Sequence, residues 1–93
     1  MVEEHVQALI ERVVKAELQS AHVVQVHVKR GEDFDGEDVI RITVVVDAPA
    51  SSFDPRKLAA LAGHLRDALA DAAEFDFPMI SYMNRREFDR VFA

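Results

Sequence analysis

The sequence predicts one small α+β domain of two layers. The expected order is α-β-β-α-β plus a short C-terminal helix, with a three-stranded mixed sheet and helices on one face. Three observations predict this. Two long stretches repeat apolar residues at helical spacing, two others alternate apolar with polar residues, and a polar stretch with two glycines joins the alternating pair.

The first helix is expected from Val2 to Ser20. Val6, Leu9, Ile10, Val13 and Ala16 fall on one stripe, with Leu18 near the end. Glu3 and Glu4 occupy the first turn, where the helix dipole favours anions. Glu11 and Lys15 form an i,i+4 pair of favourable orientation.

The period then changes to two. In the stretch from Ala21 to Arg30, Val24, Val26 and Val28 alternate with Gln25, His27 and Lys29. From Val39 to Asp47, Ile40, Ile42, Val44 and Val46 form one face, and Val39, Arg41, Thr43, Val45 and Asp47 the other. The residues between, Gly31 to Asp38, read as a hairpin loop, which makes the two strands antiparallel neighbours.

Ala48 to Ser52 is a connector. Asp54 then offers an N-cap and Pro55 a first helical residue. Leu58, Leu61, Ala62, Leu65, Ala68, Leu69 and Ala72 form the apolar stripe of a second helix ending near Ala73. Phe77 to Met83 is the third strand, with Phe77, Met79 and Met83 on one face and Ile80 and Tyr82 on the other; Pro78 places it at an edge or a strand start. Asn84-Arg85-Arg86-Glu87 forms a capping box ahead of Phe88, Val91 and Phe92, a short C-terminal helix. A right-handed crossover through the second helix makes strands two and three parallel. Whether the third strand borders the first or the second stays open.

All 93 residues fall within one expected domain, and 49% hydrophobic with 30% charged residues is a globular composition. Seventeen acidic against 11 basic residues give a net charge of −6, which repels polyanions and counts against nucleic acid or an anionic membrane as partner. The chain has no cysteine, which excludes disulfides, thiolate metal sites and cysteine nucleophiles. Met1 to His5 is acidic and lacks the apolar core of a signal peptide, and no apolar run reaches the ~20 residues of a membrane span. A cytoplasmic protein is expected.

Catalytic signatures are weak. The serines Ser20, Ser51, Ser52 and Ser81 lie in no nucleophile elbow, and Gly31, Gly36 and Gly63 form no phosphate loop or dinucleotide fingerprint. His5, His22, His27 and His64 share no zinc spacing. Glu32, Asp33, Asp35, Glu37 and Asp38 crowd the hairpin, yet aligning Asp35 and Gly36 with a calcium loop puts Ile42 where the bidentate glutamate belongs. A solvated turn is the simpler reading, with Phe34 tucked back on the sheet or offered to a partner. No cofactor or metal is expected.

Two segments carry a resemblance. Asp33-Phe34-Asp35-Gly36-Glu37-Asp38-Val39-Ile40-Arg41-Ile42 and Phe77-Pro78-Met79-Ile80-Ser81-Tyr82 resemble a hairpin and a strand of small bacterial α-β-β-α-β proteins of uncharacterised function. Such proteins look like companions of helical HEPN-type proteins, so the resemblance implies a toxin–antitoxin-like pair. It supplies no catalytic residues.

The expected function is therefore protein–protein interaction, with another protein or with a second copy as a homodimer, and an antitoxin-like role as one form of it. The second sheet face, with Val23, Val39 and Val45 beside His27, Lys29, Arg41 and Thr43, is more apolar than water alone requires. Candidate partner-binding residues are Phe34, Val45, Phe88, Val91 and Phe92. One alternative is a small enzyme whose site forms at a homodimer interface, with His27, Arg41 or Asp47 converging on carboxylates. Another is an RNA binder resembling KH folds, using Arg85 and Arg86; the missing Gly-x-x-Gly clamp and the net charge disfavour it.

Overall fold

The computed structural model describes residues 3–18, 23–47 and 54–92. The elements are α1 (Glu4–Glu17), β1 (Val23–Glu32), β2 (Asp38–Val46), α2 (Pro55–Asp71), β3 (Phe77–Asn84) and α3 (Arg85–Phe92). Val2, Ser20, Ala21, His22 and the connector Ala48 to Ser52 lie outside the described residues.

The sheet order is β1-β2-β3, so the third strand borders the second. β1 and β2 are antiparallel, with Val26 opposite Val44 and Val28 opposite Ile42. β2 and β3 are parallel, with Val39 beside Phe77 and Val46 beside Asn84. One face of β2 presents Ile40, Ile42, Val44 and Val46 to Val6, Ile10 and Val14 of α1 and Leu61, Leu65 and Leu69 of α2, all in one buried cluster. Burying each such side chain contributes about 1.5–3 kcal/mol, so this layer dominates the stability. Tyr82 packs against the same cluster, and burial pushes its phenol up to about 12.

The ends of the elements follow local chemistry. Asp54 accepts from the Arg56 N–H at 2.9 Å, and Pro55 opens α2. At its other end the Glu74 N–H reaches the Leu69 carbonyl and the Ala73 N–H reaches Ala70. This Schellman closure puts Ala73 at φ 60°, a region that normally selects glycine. The capping box at α3 forms in both directions: the Glu87 N–H donates to Asn84 Oδ1 at 2.8 Å, and the Asn84 N–H to Glu87 Oε1 at 3.2 Å.

Two expectations are corrected by the sheet. Val24 does not share a face with Val26 and Val28. Val23 pairs with Val46 and Gln25 with Val45, so Val24 is the extra residue of a bulge and stands 42% exposed, while Val23 packs on the core. The second face of β2 is not open either. Val39, Thr43 and Val45 are all buried, and α3 turns back from the end of β3 over β2 so that its rings reach His27, the β1 partner of Thr43. α1 and α2 thus cover one face, and α3 covers part of the other.

Candidate interaction surface

The hairpin tip is the best-defined local structure on the surface. Asp33 Oδ1 accepts from the N–H groups of Asp35 and Glu37, both at 2.9 Å. The Asp33 carbonyl accepts from the Gly36 N–H, and the Asp33 N–H donates to the Glu37 carbonyl. With Gly36 at φ 80°, this is a tight turn followed by a glycine bulge. The Asp-Phe-Asp-Gly sequence is thereby explained as turn chemistry, with the Asp33 carboxylate engaged by backbone. Among the described residues no group of three His, Asp or Glu side chains could hold a metal ion.

Phe34 is not tucked onto the sheet. It is fully exposed at the apex, since a type I turn points its central side chains outward. The hairpin closes where β2 begins, and β3 begins beside it. Phe75 and Phe77 are at that same end, 80% and 57% exposed. They line an open pocket of about 180 Å³ with Arg66, Leu69 and Pro78. Glu32, Asp33, Asp35, Glu37 and Asp38 surround the tip. One end of the sheet is therefore both acidic and aromatic.

Arg30 anchors this end. It lies on the helix-side face of β1, opposite Ile40, and reaches Glu3, Glu74 and Asp76 at 2.8, 3.0 and 2.9 Å. The guanidinium hydrogen bond holds the Glu3 carboxyl below the usual range. The hydrogen bonds that Arg30 donates to Glu3 and Glu74 raise the Arg30 value in turn, so this arginine stays charged. Glu3 at the start of α1, Arg30 of β1, and Glu74 and Asp76 on either side of Phe75 are thus clamped together.

The opposite end is built around α3. Phe88 and Phe92 stack with centroids 4.6 Å apart, and His27 of β1 meets them at 5.7 and 4.8 Å. Val91 points away and is 60% exposed. The five sequence candidates therefore separate. Phe34 and Val91 are open, Phe88 and Phe92 are engaged with His27, and Val45 is buried within the chain. Phe75 was missed as a candidate because a lone phenylalanine in a polar loop carries no periodic signal.

His27, Arg41 and Asp47 are not drawn together. His27 faces rings, Arg41 donates to the Glu32 carbonyl at 2.7 Å across Gly31, and Asp47 is exposed beyond β2. His64 pairs instead with Glu17, joining α2 to α1. Arg85 and Arg86 are exposed in the first turn of α3. Among the described residues no helix is long and apolar enough to cross a membrane. No family model, curated protein or solved structure matches the chain.

Proposed function

We propose that the chain is a protein–protein interaction module that docks its acidic, aromatic sheet end on a basic surface of another protein, in the manner of an antitoxin-like partner. The observation that carries this reading is Phe34, fully exposed on a turn locked by Asp33 and flanked by carboxylates. A large apolar side chain held in water on a rigid tip gains free energy only when a partner covers it. A fixed turn also loses little entropy on binding, which favours an aromatic anchor there.

The surrounding charge selects the partner. Five carboxylates between Glu32 and Asp38 steer towards lysine and arginine and repel acidic competitors. The matching surface is an apolar pocket rimmed by basic residues, a chemistry common on proteins that handle nucleic acid. The resemblance to companions of HEPN-type proteins points the same way.

Affinity capture from the host with the native chain and three variants tests the proposal. Phe34→Ser and Phe75→Ser should each lose a stoichiometric basic partner, whereas Val91→Ser should retain it. A partner held equally by all four, or lost only with Val91→Ser, would overturn the assignment to this end.

A further inference from the structure

The two edges of the sheet are treated differently. At the β1 edge, Gln7 of α1 donates to the Val26 carbonyl at 3.0 Å, Val24 forms a bulge, and Lys29 is exposed. A sealed carbonyl, a bulge and a lysine are the usual means by which an edge strand avoids pairing. β3 has none of these along Met79 to Met83. Its sequence, Phe77-Pro78-Met79-Ile80-Ser81-Tyr82-Met83-Asn84, contains no charged residue, and Met79 and Ser81 are exposed.

We infer that β3 pairs antiparallel with β3 of a second copy of this chain, forming a continuous six-stranded sheet about a two-fold axis. The surface is self-complementary in that orientation. Phe77 follows the acidic end with Glu37 and Asp38 nearby, and Asn84 leads directly into Arg85 and Arg86. Antiparallel pairing sets the acidic end of each copy beside the two arginines of the other; parallel pairing sets like beside like. Asp47 and Glu87, both exposed at that second end, offset the two arginines, so the second end is near neutral while the first is acidic, and antiparallel pairing keeps the two acidic ends apart. A two-fold interface requires this kind of self-match. Residues opposite each other must also share a sheet face, so the well-overlapped registers are those centred on Ile80 or Ser81. Both leave Phe34 uncovered, because the β1–β2 hairpin tip lies away from the β3 edge, whereas Phe75 falls beside residues 85 to 87 of the second copy; the Phe34 variant therefore separates docking from the dimer.

Light scattering on the purified full chain should give a dimer, about 21 kDa from a 10.5 kDa chain. Amide exchange along β3 should slow as protein concentration rises. Ser81→Lys places like charges close across the two-fold axis in either register, and Met79→Lys does so in the Ile80-centred one; Ser81→Lys should raise the dissociation constant about tenfold or more with the circular dichroism unchanged. Val91→Lys on α3 should remain dimeric. A native chain that is monomeric at its highest soluble concentration would overturn the inference. So would a dimer that survives both β3 lysines, or one that only Val91→Lys breaks. If a lysine variant unfolds, the concentration dependence of β3 exchange in the native chain decides alone.

Discussion

The imidazole of His27 on β1 lies 4.8 Å from the ring of Phe92 on α3, centroid to centroid, and Phe92 stacks on Phe88. α3 has no fully buried residue, so these rings and its capping box hold it to the sheet. An edge or stacked aromatic contact is worth about 0.5–1.5 kcal/mol. His27→Ala should therefore speed amide exchange in α3 by about tenfold, while the amides of β2 keep their protection. Hydrogen exchange followed by mass spectrometry reads both in one experiment.

Arg30 should be the most sensitive charged position. Arg30→Met keeps the stem that packs along the sheet but leaves Glu3, Glu74 and Asp76 crowded without their cation. The Arg30 side chain is only 26% exposed, so the loss should exceed that of an ordinary surface pair, at about 1–2 kcal/mol. Denaturant titration measures it. The difference between native and variant should shrink at high salt, because the site is partly screened.

The same cluster sets an acid dependence. Bonding to Arg30 lowers the Glu3 carboxyl below its ordinary 4.5, so the folded state favours the ionised form. That stabilisation is present above 4.5 and is lost as pH falls through the lower folded value. Stability of the native chain should drop with acidification in that window, and Glu3→Gln should flatten this part of the curve. Denaturation midpoints against pH for the two proteins provide the check.

Ala73 holds φ 60° to close α2. For a residue with a Cβ this costs about 1–2 kcal/mol, partly offset in a glycine variant by the greater entropy of its unfolded chain. Ala73→Gly should stabilise the domain by about 0.5–1 kcal/mol, and Ala73→Val should destabilise it. Thermal unfolding of the three proteins orders them.

Much of the architecture was legible because its signals are local. Asp54 with Pro55, the Asn84–Glu87 box and the Asp-Gly turn each satisfy their own backbone within a few residues. The alternation along β2 identifies its core face without reference to the rest of the chain. What escaped depends on distant partners. Val23 and Val24 are chemically identical, and only the register against Val45 and Val46 decides which one bulges. The burial of Val45 needs α3 to return over the sheet. The exposure of Phe34 needs the turn type, which Asp33 and Gly36 set through backbone angles. The choice of β2 over β1 as neighbour for β3 agrees with α1 sealing the β1 edge through Gln7, a contact 19 residues apart.

The parallel pairing of β2 with β3 has a kinetic consequence. The β1–β2 hairpin closes through a five-residue turn segment, Asp33 to Glu37, and such hairpins form in about 1–10 μs. β3 can join only after α2 has been laid across the sheet, a contact of much higher sequence separation and so a slower one. In that interval the central strand is itself an unguarded edge, with its valines and isoleucines uncovered. The window for misassembly is then governed by how fast α2 forms. Weakening that helix would lower the yield of folded protein more than its effect on final stability suggests.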